Sequence, residues 1–494
     1  MARKEEIVKE RFRKIEELLK RKINPYPYSF DKKDSCLDLQ EKYKKLKAGK
    51  KTKNKVKIAG RVMVIRDIGK LIFSDLIDSS SKIQLQIQEQ ETPKEQIEFF
   101  KKFIDIGDFI GIEGTILRTK RGELSILVKK IELLSKSILP LPEKWHGLQD
   151  KEERYRKRYL DLIMNPEVKR IFIKRTKIID SIKEFLNSLG YIEVDTPTLQ
   201  PIYGGAAAKP FTTHLNALNM KLYLRISNEL YLKRLIVGGL EKVYEFSKDF
   251  RNEGIDKLHN PEFLMIELYQ AYSDYEDMMS LCEDIFIYAA KKIWGKTEFE
   301  YQGNKINLKK PWKRVKMTEL IKKYAGIDVN KMSDNELRKF VEKNKVKIKG
   351  EIRGMMIAGI FEHFCEKKLI QPTFVIDYPE ETTPLCKEKR GKAGYVERFE
   401  PYIAGFEVGN AYSELNDPVR QKILLEKQAL ELKKGNLEAN PYDEDFINAL
   451  EYGMPPTGGL GIGIDRMIML FTNSASIRDV LFFPFMKPEQ EEES

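Results

Sequence analysis

The sequence has 494 residues, a formal net charge of +12, 33% charged residues and 41% hydrophobic residues. This length supports two or three domains with substantial cores, and the balance of charged and apolar residues is that of a globular chain rather than a disordered or fibrous one. The positive excess favours a polyanionic partner, while the lack of any apolar run of about eighteen residues excludes a membrane-spanning helix and gives no sign of a membrane partner.

Cys36, Cys282, Cys365 and Cys386 lie far apart with no CxxC pair, so neither a zinc cluster nor a disulfide framework is expected. The N-terminus is charged and has no apolar stretch of the secretory kind, so the expected location is the cytoplasm. Residues 1 to about 22 space Ile7, Phe12, Ile15, Leu18 and Leu19 as the apolar face of a basic amphipathic helix. Such a helix either docks on a core or grips an RNA backbone, and the sequence leaves both open. A lysine-dense run over 42–57 reads as a linker that also attracts phosphate.

Short strands are expected over 56–65, 70–75, 83–88, 109–117 and 124–133, with turn signals between them and a helix over about 92–104. Five strands with one inserted helix point to a small OB-type β-barrel, a fold that binds single-stranded nucleic acid by stacking bases on aromatics beside polar edge readers. Leu139-Pro140-Leu141-Pro142 marks a boundary. The run from Trp145 to Asp150, followed by Arg154-Tyr155-Arg156-Lys157-Arg158-Tyr159, suits either RNA backbone or an interdomain ion-pair face.

A long amphipathic helix follows over 168–189, stopped by Gly190, and a strand over 191–194 leads into Thr196-Pro197. Tyr203-Gly204-Gly205-Ala206-Ala207-Ala208 is a run of small residues that permits close backbone approach to a ligand. Residues 242–246 and 263–268 alternate as strands around a polar loop with Gly254 and Asn260-Pro261, so a long antiparallel hairpin with an irregular tip is expected. Side chains alternate along a strand, so Arg251 and Glu253 are expected on one face. A guanidinium there grips phosphate or carboxylate in a fork, and the carboxylate accepts from an exocyclic amine.

Between about 272 and 385 the pattern is helical and carries no motif. Beyond it, Glu400, Glu407 and Glu414 recur every seven residues, but Pro401, Gly405 and Gly409 argue against a helix. Two strands joined near Ile403-Ala404-Gly405 bring Glu400 towards Glu407. A carboxylate pair beside a triphosphate suits Mg²⁺, a hard cation that takes oxygen ligands. Asn410, Tyr412 and Glu414 then share one strand face. Finally Gly458-Gly459-Leu460-Gly461-Ile462-Gly463 runs into a helix from Asp465, with Arg466 in its first turn. The glycines allow close approach of a nucleotide, and the helix N-terminus favours anions.

Three of these stretches together resemble the class II aminoacyl-tRNA synthetases in their lysyl form. Phe250-Arg251-Asn252-Glu253-Gly254 with His259-Asn260-Pro261-Glu262-Phe263 and Glu267-Leu268-Tyr269 looks like motif 2. Gly190 to Pro197 looks like motif 1, and Gly458 to Arg466 like motif 3. The resemblance implies an α+β chain: a basic N-terminal extension (1–55), an OB-fold anticodon-binding domain (56–140), a linker (141–166) and a catalytic domain (167–490). That last domain is an antiparallel sheet flanked by helices, with a helical insertion at about 272–385. It implies a homodimer formed through motif 1, with ATP, L-lysine and tRNA(Lys) as substrates.

Carried over position by position, the resemblance places Arg251 between the lysine carboxylate and the α-phosphate, with His259 and Arg466 on the outer phosphates. Arg251 and Arg466 are the catalytic pair. Glu253 reads the adenine amine, Phe263 stacks on the ring, and Asn260 and Glu407 complete the ATP site. The Gly205 carbonyl and Glu229 meet the lysine α-ammonium, Tyr269 and Glu414 its ε-ammonium, and Asn410, with Tyr412 beside it, its carboxylate. Glu400 and Glu407 hold Mg²⁺. Arg66, Phe73, Gln84 and Glu123 contact the anticodon. The chemistry suits lysine, because an ammonium held in a partly dry pocket needs a carboxylate and a hydroxyl.

Three other readings keep part of the pattern. An aspartyl- or asparaginyl-tRNA synthetase shares barrel and fold, but the acidic Glu229 and Glu414 oppose it. A protein-lysylating paralogue lacks the barrel expected over 56–135. A non-catalytic RNA-binding paralogue has no need of Arg251, Glu407 and Arg466 together.

Overall fold

The computed structural model describes residues 2–142, 148 and 150–488. Trp145, His146, Gly147 and Gln149 of the boundary run and the acidic residues Glu489 to Glu493 lie outside the described residues. The chain divides into two compact units, 1–148 and 149–494.

The first unit is built on five strands: β1 (Lys51–Asp67), β2 (Leu71–Ile77), β3 (Lys82–Gln88), β4 (Phe109–Arg118) and β5 (Leu124–Ser135). They close into a barrel in the order β1-β2-β3-β5-β4. All neighbours are antiparallel except β3 and β5. Strict alternation along β2 and β3 sends Ile72, Leu76, Ile83, Leu85 and Ile87 inward, where they are almost fully buried. Each such side chain contributes about 1.5–3 kcal/mol on leaving water. The expected helix is present at Lys94–Phe103 and plugs this core with Phe100 and Phe103.

The amphipathic N-terminal helix is Ala2–Lys20, and its packing corrects the sequence reading. Leu18 is buried, but Phe12 and Leu19 are exposed. Much of the docking is polar. Buried Arg11 donates to the carbonyls of Ile106, Ser137 and Leu139 at 2.8–3.0 Å, and Lys14 pairs with Asp105 at 2.8 Å. The buried face thus carries Leu18 and Arg11 with Ile7 and Ile15 half-buried beside them, so the expected apolar face holds in part and only Phe12 and Leu19 fall outside it. The lysine run over 42–57 is not all linker: a helix, Cys36–Lys42, ends in it and β1 begins at Lys51.

The second unit carries β6 (Ile192–Glu193), β7 (Leu199–Gln200), β8 (Thr212–Leu215), β9 (Met220–Leu224), β10 (Lys242–Phe250), β11 (Glu262–Ala271), β12 (Glu298–Tyr301), β13 (Asn304–Asn307), β14 (Lys313–Lys316), β15 (Thr373–Pro379), β16 (Tyr395–Ile403), β17 (Phe406–Glu407), β18 (Gly409–Ser413) and β19 (Thr457–Gly463). One large sheet runs β14-β15-β16-β18-β19-β11-β10-β6, with β17 paired to β16. The six central strands are antiparallel, but β14 and β6 add on parallel at the two edges, so the sheet is mixed rather than purely antiparallel. The region expected to be only helical contains four of these strands, and β14 and β15 belong to the main sheet. Helices Pro166–Ser188, Tyr275–Trp294 and Ile464–Thr472 contribute to the core with one face of the sheet.

The period of two decides what each face is for. Ile266 and Leu268 of β11, Phe399 of β16, Ala411 of β18, and Leu460 and Ile462 of β19 all point into the helix-backed core. Their alternates are Glu267 and Tyr269, Arg398 and Glu400, Asn410 and Tyr412, and Gly459 and Gly461, so these share the opposite face. Among the described residues no helix is long and apolar enough to cross a membrane.

Candidate active site

The site lies on that second face, and β19 is its floor. Gly459 is paired with Tyr269 on one side and Tyr412 on the other; Gly461 is paired with Glu267 and Asn410. A Cβ built on Gly459 would lie 2.0 Å from Glu414 Oε1 and 2.6 Å from Tyr269 Cε1. This glycine therefore makes room for neighbouring side chains as well as leaving the floor low.

At one end is an acidic pocket. Glu414 directly follows β18 and is fully buried; its backbone N–H donates to Thr457 O at 2.8 Å. Glu229 opens the helix Glu229–Val237, and its N–H is capped by Ser227 Oγ at 3.1 Å. The fully buried Lys233 ammonium sits between them, 2.5 Å from Glu229 Oε1 and 2.5 Å from Glu414 Oε2. Both Glu414 oxygens lack an aligned hydrogen-bond donor. Glu267 accepts from Ser227 at 2.9 Å and from the Tyr269 hydroxyl at 3.1 Å. Burial, with Asp249 and Glu229 adding repulsion, pushes Glu267 up to about 8. Burial also raises Glu414 to about 8, against the pull of Lys233. Gly205 flanks this pocket: a Cβ there would fall 2.9 Å from Glu229 Cβ.

At the other end are the arginines. The hairpin is as expected, in register from Lys242↔Gln270 to Phe250↔Glu262. Its β10 strand stops at Phe250, however, so Arg251 and Glu253 belong to the loop and strand alternation does not put them on one face. Arg251 lies over the Phe263 ring at 5.1 Å, and its Nε donates to Ile226 O at 3.4 Å. Arg466, in the first turn of helix Ile464–Thr472, donates to Glu407 O at 2.9 Å and meets Glu407 Oε2 at 3.4 Å. Its other terminal nitrogen is 3.1 Å from His259 Nε2, and His259 Nδ1 is 2.9 Å from both Asp256 oxygens. The Arg466 N–H donates, so His259 carries its proton on Nδ1 towards Asp256. Arg251 is close enough to favour the charged form of Glu407. Arg466 thus contacts Glu407 directly, and Arg251 adds a weaker attraction to the same carboxylate.

The third cluster is the Glu400–Glu407 pair. Tyr402 pairs with Glu407 across a two-residue turn, Ala404-Gly405, in which both residues have positive φ (56° and 85°), the pattern of a tight hairpin. Glu400 accepts from Tyr378 at 2.6 Å, from Tyr402 at 2.7 Å and from Arg398. Glu407 is raised by burial and then by Glu400, and Glu366 is pushed up to about 7 by burial and then by Glu407. A carboxylate offers about four acceptor positions, so Glu400 retains one, and the mutual repulsion marks an excess of negative charge that a cation relieves. The pair therefore fits a hard divalent ion that takes its remaining ligands from phosphate and water.

Asn410 and Tyr412 are brought to the cleft but already bond each other at 2.6 Å, and Asn410 also accepts from Arg398 at 3.0 Å. Glu253 sits on the exposed loop tip, with none of the other site side chains against it. The Asn260 side chain is occupied by backbone: it donates to Glu262 O at 2.6 Å and accepts from Phe485 N at 3.4 Å, so here it closes the loop. In the first unit, Arg66, Phe73 and Gln84 lie on the outer face of β1–β3, Phe73 opposite Arg66, and Glu123 is exposed in the β4–β5 turn. Phe73 is not in the barrel core.

Several site residues had no signal of their own in the sequence. Lys233, Arg398 and Glu267 matter through partners distant in the chain. So does Glu245, which takes Arg225 at 2.7 Å, Asn228 at 2.8 Å and Thr196 at 2.7 Å, tying motif 1 to the hairpin. Strand spacing was the available clue for two of them: Arg398 is two before Glu400, and Glu267 two before Tyr269.

Residues 150–487 match the profile described as tRNA synthetases class II (D, K and N). The chain belongs to the class II tRNA synthetases. Residues 56–134 match an OB-fold nucleic acid binding domain. A lysine–tRNA ligase of Methanoculleus marisnigri is 51% identical over 476 residues, covering 96% of this chain and 94% of that protein. Lysine–tRNA ligases of Clostridium novyi (51% over 488 residues; 98% and 94% covered) and Clostridium kluyveri (50% over 492 residues; 98% and 97%) are similar. The D, K and N grouping leaves three amino acids, and the acidic pocket of this synthetase bears on which one it takes.

Proposed function

We propose that the chain is a lysine–tRNA ligase: it joins L-lysine to ATP as lysyl-adenylate and passes the lysyl group to the 3′ end of tRNA(Lys). The observation that carries this is the buried Glu229–Glu414 pair with the Tyr269 hydroxyl at one end of the arginine cleft. A side-chain ammonium is stabilised there, and the carboxylate of aspartate would be repelled.

In the first step the lysine carboxylate oxygen attacks the α-phosphorus of ATP and pyrophosphate leaves. The nucleophile is already an anion, so no general base is required, and positioning with charge neutralisation supplies most of the acceleration. Arg251 spans the lysine carboxylate and the α-phosphate, and Phe263, whose ring centre is 5.1 Å from that guanidinium, stacks on adenine. Arg466 and His259 hold the outer phosphates, Asp256 keeps His259 oriented, Glu253 reads the adenine amine, and Asn260 acts by holding the loop. Gly205 and Glu229 take the α-ammonium, Tyr269 and Glu414 the ε-ammonium, and Asn410 with Tyr412 the carboxylate end. Mg²⁺ on Glu400 and Glu407 would neutralise phosphate charge. In the second step a hydroxyl of the terminal adenosine displaces AMP.

Arg66, Phe73, Gln84 and Glu123 bind the anticodon, Phe73 by stacking. The exposed apolar side chains of Leu189, Ile192 and Leu199, in and beside motif 1, and of Ile173 on the preceding helix support a homodimer. A cytoplasmic location fits four unpaired cysteines. The test is ATP–pyrophosphate exchange with each amino acid in turn. Exchange with lysine and not with aspartate or asparagine is expected; exchange with either of those instead would overturn the reading.

A further inference from the structure

The acidic pocket contains a cation of its own. Lys233 lies one turn beyond Glu229 on the same helix and reaches across to Glu414 on the sheet, so a single ammonium ties the two carboxylates that come from different elements. Nothing else among the described residues bridges them. We propose that Lys233 is a specificity-determining positioning residue: by bridging Glu229 and Glu414 it fixes the spacing of the two carboxylates that meet the α-ammonium and the side-chain ammonium of the amino acid. This rests on the lysine reading above.

The charge count makes the case. Two buried carboxylates without a cation protonate rather than remain charged. Lys233 is fully buried, and its own protonated form is favoured because Glu229 and Glu414 outweigh its burial. Lys233 opposes the burial that raises Glu414, and the Glu414 Oε1, which has no donor, is directed at the space beside Tyr269 that Gly459 keeps open. The other titratable and charged groups facing this ammonium and its partners do not replace it. Glu267 and Tyr269 come from β11 and Tyr412 from β18; these are acids held neutral near pH 7. Cys386 is a thiol pushed well up by burial, while Lys387 and Arg398 act on one carboxylate each without bridging the pair.

The experiment uses the full chain with Lys233→Met and Lys233→Arg, following ATP–pyrophosphate exchange with L-lysine across pH. For Lys233→Met the lysine KM rises about 100-fold, the scale of breaking a buried ion pair, while the ATP KM stays within about threefold. The pH at which lysine binding develops moves up, because the Lys233 charge no longer favours the ionised carboxylates. Lys233→Arg keeps the charge but not the fit, so its lysine KM rises less and its pH profile stays near that of the parent. Unchanged lysine KM and pH profile in a folded Lys233→Met protein would overturn the proposal. So would equal losses in lysine and ATP KM, or loss of the fold in both variants, since each marks a structural ion pair. Absence of lysine-dependent exchange in the parent enzyme would instead overturn the lysine reading itself.

Discussion

Gly459→Ala isolates the geometry of the acidic pocket with the smallest possible change. An ordinary contact for a Cβ begins near 3.4 Å, whereas the one added here meets Glu414 Oε1 at 2.0 Å, so the carboxylate must retreat by about 1.4 Å. Tyr269 must move as well, since Cε1 lies at 2.6 Å and Cδ1 at 2.9 Å. A carboxylate at the end of a side chain moves cheaply, and overpacking of this size costs about 1–3 kcal/mol, so the fold survives. The pocket does not: a displacement of about 1 Å at a binding group costs about 100-fold. Lysine KM in ATP–pyrophosphate exchange is therefore expected to rise about 100-fold, with the ATP KM within about threefold and a melting temperature only a few degrees lower. A lysine KM within about threefold of the parent, in a protein with normal melting, would refute the assignment of Glu414 and Tyr269 to the lysine side chain.

Arg466→Gln removes the donor to Glu407 and His259 and should raise the ATP KM about 30-fold while sparing the lysine KM, read in the same exchange assay. Phe73→Ala should leave exchange without tRNA untouched but raise the tRNA KM in aminoacylation about 10-fold, the worth of one stacked base at about 1–3 kcal/mol; an unchanged tRNA KM removes Phe73 from the anticodon site. Glu267 and Glu414 have folded pKa values raised to about 8, so the stability they contribute is full below the unfolded carboxylate value of about 4.3 and is lost as pH rises to about 8. Calorimetry should accordingly show the melting temperature gained on adding lysine growing between pH 6 and pH 8.5, because lysine stabilises the ionised form; a gain independent of pH would count against ionisable groups at the pocket.

What the sequence made legible was local and periodic. The barrel strands, the hairpin around Arg251 and the turn at Ala404-Gly405 follow from alternation and from glycine and proline placement, which act within a few residues. The edges of the large sheet were not legible in the same way. The parallel edge strand β14 lies where only helices were expected, because a four-residue strand such as Lys313–Lys316 has too few positions to show a period. The N-terminal helix docks through Arg11, whose three carbonyl partners lie about a hundred residues away. Lys233 was invisible for a related reason: in Glu229-Leu230-Tyr231-Leu232-Lys233 it reads as an ordinary i,i+4 surface pair, and only Glu414, 181 positions on, shows that it is buried.

The site residues that were legible and those that were not divide along the sheet. Arg251, Glu400, Glu407 and Arg466 are reached by motif because each stands beside a chain reversal or a helix start, where glycine and proline mark the sequence. Glu267 and Arg398 sit inside regular strands, on the face opposite Leu268 and Phe399. Strand alternation reports only that such a face is polar. It does not report that three strands, distant in the chain, turn their polar faces to one floor of glycines. That convergence follows from the order β16-β18-β19-β11, which puts Gly459 and Gly461 between two strands bearing long polar side chains. The glycines are then required by the neighbours as much as by the ligand: with any side chain at 459, Glu414 and Tyr269 could not both stand where they do. The motif is thus a statement about packing between strands, and its chemistry follows from the strands it separates.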